Sequence, residues 1–398
     1  MKSMIVFKKG ILLLGIALLF FGCTSKTNSS KQNTVGKFTP HPIIKEHQEV
    51  KTLEIGAKAP FFKLPDIHGN YVSIDDFKNS DLLVVIFTCN HCPTAQAYEN
   101  RIISFTSDYS KKGVQVVAIM PNSCAGLLLE ECDYSDLDDA FENMAIRAKD
   151  KGFNFPYLYD GDDQAVAIKY GPTTTPHAFV FDKNRTLQYA GRIDALEKPG
   201  TGNAEDLRQA VDELLAGRPV TTPVNKTFGC SVKWSWKSEW AQKVNKDWND
   251  KPVSLEPIDD KEIKELLANK TEKLLLVDVW ASWCGPCVLE LPELVKLQRM
   301  YGTKRKFEFV TLSADKLAKK DEALSLLKSK NLPVRNFIFT LDDKYKLIEL
   351  IDPEWNGALP YTLLIEPGGK VIYKNQGLAD MLELKKKIVE HPLLGRYY

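Results

Sequence analysis

The sequence predicts an α/β protein made of two similar units in tandem, each a mixed central sheet flanked by helices. Three observations carry this. The order strand, cysteine pair, helix, strand, helix, strand, strand, helix occurs twice. Each occurrence is built on a near-continuous apolar run, Leu82–Phe87 and Leu274–Val279, of the kind that fills a strand buried on both faces. A chain of 398 residues also exceeds what one ordinary core holds.

Composition is that of a folded chain, with 44% apolar and 26% charged residues. A net charge of +1, with no basic stripe and no Gly-rich phosphate loop, argues against a nucleic-acid partner.

Residues 1–22 read as a targeting segment. Lys2, Lys8 and Lys9 precede Ile11–Phe21, an apolar stretch interrupted only by Gly15. That stretch suits a signal-peptide core and falls short of the roughly 20 residues of a membrane span. Gly22-Cys23 resembles a bacterial lipoprotein cleavage site, with Cys23 as the lipidated residue, although Phe20 and Phe21 replace the usual Leu and small residue. An ordinary signal peptide or an uncleaved anchor is the alternative. Residues 23–50, rich in Ser, Thr, Asn, Lys and Gln, read as a flexible tether reaching roughly 30 Å.

The first unit spans residues 51–220. Asp66–Asn70 is a turn, and Tyr71–Ile74 a short strand. Leu82–Phe87 leads into Cys89-Asn90-His91-Cys92, then a helix with Tyr98, Ile102, Phe105 and Tyr109 at helical spacing. Val114–Met120 is a strand, Asn122–Ser135 irregular, and Asp136–Lys151 helical. His177–Asp182 and Leu187–Ile193 are strands, and Ala204–Ala216 is a helix ended by Gly217 and Pro219. Residues 221–253 show few secondary-structure signals but hold Trp234, Trp236, Trp240 and Trp248, so they are expected to pack on a domain surface or between domains.

The second unit spans residues 254–398. Ile258–Leu267 reads as helix and Leu274–Val279 as strand. Cys284-Gly285-Pro286-Cys287 follows, then a helix to Tyr301. Phe307–Leu312 is a strand, Asp315–Ser329 a helix and Phe337–Thr340 a strand. Tyr361–Ile365 and Val371–Tyr373 pair around Pro367-Gly368-Gly369, and Leu378–Glu390 closes the unit.

Two thiols two residues apart at a helix mouth close a disulfide with little backbone movement. The first meets unpaired helix N–H groups, which favour its thiolate. Asp278, inside an apolar strand six residues before Cys284, needs a reason to be there; a desolvated carboxylate can accept a proton near neutrality. Glu290 lies one helical turn beyond Cys287. Removing Cys23 and the two pairs from the eight cysteines leaves Cys124, Cys132 and Cys230, whose connectivity is open; Cys124 and Cys132 are close enough in sequence to close a small loop.

Val277–Cys287 resembles the thioredoxin family. The resemblance implies the thioredoxin fold, with Cys284 attacking, Cys287 resolving, and Asp278 helping to deprotonate the resolving thiol. Cys287–Pro292 resembles the membrane-tethered periplasmic branch of that family, which implies that Glu290 tunes the cysteines. Leu359-Pro360-Tyr361-Thr362 is similar to the family's cis-proline loop, which faces the cysteines and lets a substrate backbone pair alongside. Phe87–Pro93 resembles a redoxin group related to the alkyl-hydroperoxide-reductase and thiol-specific-antioxidant superfamily. There Thr174-Thr175-Pro176-His177 is the counterpart of the cis-proline loop, and Phe228–Trp234 resembles the group's tail.

His91 beside Cys92 resembles strongly oxidising dithiol proteins of the DsbA type. Such proteins differ from thioredoxin by roughly 150 mV, about 7 kcal/mol for two electrons. A smaller difference of the same sign would drive electrons from Cys284/Cys287 to Cys89/Cys92. Leu83, six residues before Cys89, takes the place of Asp278, which leaves the first unit without a buried acid.

The expected function is an exported protein-disulfide oxidoreductase on the periplasmic side of a bacterial envelope, with no cofactor. Its partners are protein thiol or disulfide substrates and a membrane or soluble electron donor, and its lipid anchor holds it to a membrane. A thiol peroxidase is the alternative, but the peroxiredoxin pattern wants a Pro that Val84–Thr88 lacks. Two other readings make the first unit a redox-inert docking platform, or assign zinc to Cys89, His91 and Cys92 or to the two cysteine pairs together.

Overall fold

The computed structural model describes residues 42–198 and 200–395. The signal segment, the lipidation site Cys23 and most of the tether lie outside the described residues. Among those described, no helix is long and apolar enough to cross a membrane. The tether's last residues are docked: Ser235 Oγ donates to the Ile44 carbonyl at 3.2 Å, and His47 packs edge-on against Trp236.

In the first half, β1 (Lys63–Pro65) and β2 (Tyr71–Ser73) form a hairpin. They are followed by β3 (Leu82–Phe87), α1 (Pro93–Tyr109), β4 (Val114–Met120), α2 (Phe141–Lys151), β5 (Tyr157–Tyr159) and α3 (Ala165–Tyr170). Then come β6 (Thr174–Thr175), β7 (His177–Phe181), β8 (Leu187–Gly191), α4 (Glu205–Leu215), β9 (Cys230–Ser231) and α5 (Ser238–Asn249). The sheet order is β5-β4-β3-β7-β8, with β3, β4 and β5 parallel and β7 and β8 antiparallel.

The second half runs β10 (Glu256–Ile258), α6 (Asp260–Leu267), β11 (Leu274–Trp280), α7 (Gly285–Leu297), β12 (Phe307–Ser313) and α8 (Lys320–Ser329). It ends with β13 (Arg335–Phe339), α9 (Lys344–Ile351), β14 (Tyr361–Ile365), β15 (Val371–Gln376) and α10 (Met381–Glu390). Its sheet order is β10-β13-β12-β11-β14-β15, again with an antiparallel pair on one side.

Strand alternation divides each half into two cores. Leu82, Val84 and Ile86 face α1 with Tyr98, Ile102 and Phe105, while Leu83, Val85 and Phe87 face Phe62, Tyr170 and Phe179. In β11, Leu274, Leu276 and Trp280 face α7, while Leu275, Val277 and Val279 face the other way. Burying one such side chain stabilises the fold by about 1.5–3 kcal/mol.

Several elements differ from the sequence reading for identifiable reasons. Residues Asp136–Ala140 stay out of α2 because Asp138 and Asp139 spend their carboxylates on backbone N–H groups of the loop and of Asn90 and His91. Ile258 belongs to a strand, because it pairs with Phe339 and α6 starts at the Asp259–Glu262 capping box. Asp315 caps no helix; it holds Ser282 and Ser313, and α8 begins at Lys320. Short β5, α3 and α9 carry too little periodicity to read, and α5 forms within the Trp-rich stretch.

Residues 127–135 of the first half pack on the second. Cys132 is buried in the second half's core cluster, so it closes no small loop, and both it and Cys124 are unbonded. Arg299 forms a two-point pair with Glu130 at 2.8 and 3.1 Å, and Tyr301 Oη donates to the Ser135 carbonyl at 2.8 Å. Both Arg299 and Glu130 are largely buried, at 8% and 12% exposure. Arg299→Ala strands Glu130 there and is expected to destabilise the contact by about 3 kcal/mol. Calorimetry of the full chain should then resolve two unfolding transitions where the parent shows more concerted melting; unchanged melting contradicts this.

Candidate active sites

In the second half the strand β11 hands over to α7 through Ala281-Ser282-Trp283. Asp315 holds this turn, accepting from the Ser282 N–H and Oγ at 2.8 Å each. No local pattern reveals that role, since Asp315 is 33 residues from Ser282. Cys284 is the N-cap of α7, and its Sγ accepts from the Cys287 N–H at 3.3 Å. The two cysteines are disulfide-bonded. Cys284 is 6% exposed and Cys287 fully buried, while Trp283 and Leu289 beside them stand 62% and 73% exposed.

Asp278 lies on the face of β11 that meets α7. It is fully buried; Thr362 Oγ1 donates to its Oδ1 at 3.3 Å, and among the described residues Oδ2 has no partner. Burial pushes its pKa well above the usual carboxylate range, the nearby Glu290 charge pushes it further, and Thr362 offsets part of this. Glu290 is also raised by burial, although its Oε1 accepts from the Ala379 N–H. The Leu359–Pro360 bond is cis, and β14 follows it directly. Trp355, stacked on Tyr361, donates to the Ala358 carbonyl at 2.8 Å and braces this loop.

The first half has the same parts in a different register. Thr175–Pro176 is cis, and the next residue, His177, pairs with Phe87. In the second half Tyr361, next after Pro360, pairs with Val279. Counting from these matched positions, the cysteine five residues on is Cys284 in one half and Cys92 in the other. Both are helix N-caps. Cys89 therefore matches Ala281, and Ala95 matches Cys287. The residue matching Asp278 is Ile86, which pairs with Ala178 as Asp278 pairs with Thr362. Leu83 faces the opposite core, so counting back from the first cysteine misplaced the missing acid, though an acid is still missing.

The first site is closed. Cys89 and Cys92 are 2% and 0% exposed, and both are unbonded. Cys89 Sγ lies 3.1 Å from Thr175 Oγ1 and 3.5 Å from His91 Nδ1. Cys92 Sγ donates to the Thr175 carbonyl at 3.0 Å and accepts from the Cys230 N–H at 3.3 Å. Burial disfavours both thiolates. At Cys92 this is overcome by hydrogen bonds from Cys230 and Cys89 and by the His91 charge, so its pKa falls well below the ordinary value. Cys89 is raised by burial and by giving its proton to that bond. Sequence reasoning placed the thiolate on the first cysteine of each pair; here α1 starts after the second.

His91 is held by Asp139, Nδ1 to Oδ2 at 2.6 Å, and both are fully buried. Asp139 also accepts from the Asn90 and His91 N–H groups and from Asn122 Nδ2. Burial would lower the His91 pKa, but the Asp139 charge and hydrogen bond raise it. Burial would raise Asp139, but the same pair and Asn122 lower it. Cys89, His91 and Asp139 present donor atoms within 4.8 Å of one another. Zinc bound through His91 Nδ1 would take that nitrogen from Asp139, and Cys92 points instead to Thr175 and Cys230. Asp139 lies 48 residues from His91, so no local signal reveals it.

Residues 55–190 match the AhpC/TSA family, and residues 256–386 match the Redoxin family. The chain is two thioredoxin-like redoxin domains in tandem. Among relatives, it is 24% identical over 168 residues to the thiol-disulfide oxidoreductase ResA of Geobacillus thermodenitrificans, covering 42% of this chain and 81% of that protein. It is 30% identical over 113 residues to a putative peroxiredoxin of Mycobacterium tuberculosis, covering 28% of this chain and 60% of the relative. Among solved structures, an uncharacterized conserved protein from Geobacillus kaustophilus is 37% identical, with a TM-score of 0.40, over 46% of this chain and 92% of that one. A putative thiol:disulfide interchange protein DsbE from Chlorobium tepidum is 22% identical, with a TM-score of 0.33, over 41% and 99%.

In the first redoxin domain, the sign of each shift fixes the pH dependence. The raised His91 pKa gives stability that is complete below its ordinary 6.5 and fades as pH rises through the folded value. The lowered Asp139 pKa gives stability present above its ordinary 3.8 and lost as pH falls through the folded value. Asp139→Asn is therefore expected to destabilise this domain most between pH 3.8 and 6.5, and less toward high pH. Denaturant melts across pH check this, with a peak loss on the order of 3 kcal/mol; a flat profile contradicts it.

Proposed function

We propose that the chain is an exported thiol–disulfide oxidoreductase that exchanges disulfides with proteins through Cys284 and Cys287. The observation that carries this is a cysteine at a helix N-cap with a second cysteine, a buried proton-accepting acid and a cis-proline loop around it. Cys284 attacks a substrate disulfide, forming a mixed disulfide and releasing one substrate thiolate. The ionised form of Asp278, made strongly basic by burial, takes the Cys287 proton as Cys287 attacks Cys284 and releases the second substrate thiolate. Glu290 keeps the Asp278 carboxyl basic enough to take that proton. Trp283 and Leu289 offer an apolar rim suited to a polypeptide.

The relatives named as thiol-disulfide oxidoreductases support the reaction class. The domain extents are 51–220, a connecting segment 221–253, and 254–398. An envelope location facing the periplasm, a lipid at Cys23 and a membrane or soluble electron donor complete the reading. Electron flow straight from Cys284/Cys287 to Cys89/Cys92 is disfavoured. Arg299 and Tyr301 meet the first domain in the π-helical turn Gln298–Gly302 just beyond α7, about 20 Å along the helix from Cys284. A peroxidase role for the first domain is disfavoured too, since Val85 stands seven residues before Cys92, where a Pro is wanted.

Reduction of a reporter protein disulfide by the full chain, with dithiothreitol as donor, tests this. Cys284→Ser should abolish turnover. Asp278→Asn should slow it on the order of 10²-fold. Its folded state holds a proton that the unfolded chain releases, so parent stability falls as pH rises above the ordinary 3.8. Asp278→Asn should thus be more stable than the parent at neutral pH while turning over more slowly. Turnover retained by Cys284→Ser, or unaffected by Asp278→Asn, contradicts the reading.

A further inference from the structure

The first domain's dithiol is closed by the domain's own tail, and the tail carries a third thiol. Cys230 and Ser231 pair antiparallel with Thr175 and Thr174, the residues that precede Pro176. The tail is clamped further along. The Lys233 carbonyl accepts from the Ser123 N–H and from Gln164 Nε2, and the Lys233 N–H donates to Asn122 Oδ1 at 2.8 Å. Two glycines allow the close approach. A Cβ on Gly229 would sit 2.2 Å from the Thr175 carbonyl oxygen, and one on Gly126 would sit 2.3 Å from the Trp234 carbonyl oxygen. An added strand held by backbone bonds is how extended peptides are recognised at a sheet edge. Here the peptide belongs to the same chain, and its N–H at Cys230 points at Cys92 Sγ.

We infer that the tail is an internally docked partner segment and that Cys230 is the resolving thiol for Cys92. Cys92, the helix N-cap, is the thiol that matches the attacking Cys284. The position matching Cys287 is Ala95, so α1 supplies no resolving thiol, and Cys230 supplies one from the opposite side. In the reaction, the tail moves far enough to admit a small disulfide, and the Cys92 thiolate attacks one of its sulfurs, forming a mixed disulfide and expelling one thiolate. Cys230 then attacks the Cys92 sulfur. The Cys92–Cys230 bond forms, the mixed disulfide breaks, and the Cys230 proton passes to the second leaving thiolate. One external disulfide is reduced to two thiols, and Cys92 and Cys230 are oxidised. Cys89 stays beside Thr175 and His91, able to exchange with Cys92 but not required.

This rests on the first domain being redox-active, and the experiment separates the two. The full chain, Cys89→Ser and Cys230→Ser are reduced, exposed to oxidised glutathione, quenched, and mapped by peptide mass spectrometry. The inference expects a Cys92–Cys230 disulfide in Cys89→Ser, with no glutathione retained on Cys92. In Cys230→Ser, glutathione persists on Cys92 or Cys89 closes on it. If Cys89→Ser instead keeps glutathione on Cys92, or leaves Cys92 reduced, while Cys89–Cys92 forms in the parent, the resolving role fails and redox activity survives. If none of the three cysteines is oxidised in any chain, redox activity fails and the inference falls with it. Gly229→Val in the Cys89→Ser chain tests the docked geometry without touching a thiol. It should slow Cys92–Cys230 closure on the order of tenfold; an unchanged rate overturns the docked tail.

Discussion

Both halves depend on one junction, where a strand buried on both faces hands over to a helix whose first N–H groups have no partners. A cysteine stands at that N-cap twice, five residues beyond the strand residue that pairs next to the cis-proline; Cys284 caps the Cys287 N–H, while Cys92 Sγ is bonded to Thr175 and Cys230. The sheet fixes that spacing, because β11 and β3 are locked between parallel and antiparallel neighbours. Everything chemical follows from what stands around the N-cap. In the second domain it is a buried carboxylate, a second cysteine one turn along and an open apolar rim. In the first it is a buried His–Asp pair, an alanine one turn along and a strand of the chain itself.

The two sites therefore divide one chemistry by access. Burial and Glu290 both oppose the Asp278 charge, so its resting form is protonated and its ionised form is a strong base for a neighbouring thiol. The first site has no such acid, since Ile86 fills that place, and instead stabilises a thiolate with neighbouring thiols and an imidazole. The link between the domains runs through residues 127–139. This segment buries Cys132 in the second core, receives Tyr301 at Ser135, and carries Asp139 to His91. A change at the domain contact thus acts on the segment that holds the first site.

The tandem α/β architecture, the buried strands and the cysteine motifs were legible because their signals are local: long apolar runs, helical spacing and pairs two residues apart. Asp278 stood out because a charge inside an apolar strand needs a reason. The register of the first site was not legible. Cys-x-x-Cys looks alike in both halves, yet the helix begins after the first cysteine in one and after the second in the other, and only strand pairing reveals this. Asp139, Asp315 and Cys230 act across 33 to 138 residues, beyond any local pattern. Ile258 lies outside the helix expected over Ile258–Leu267 because it pairs with Phe339, and the cap, Asp259, stands one residue further on.

The most direct measurement is the pH dependence of alkylation at each cysteine of the fully reduced chain, read by peptide mass spectrometry after brief exposure to iodoacetamide. If the N-cap position decides which thiol attacks, Cys284 reacts ahead of Cys287 and Cys92 ahead of Cys89 at and below neutral pH. Cys89 reacting ahead of Cys92 would contradict the account, because the attacking thiol would then follow motif order and not the helix start.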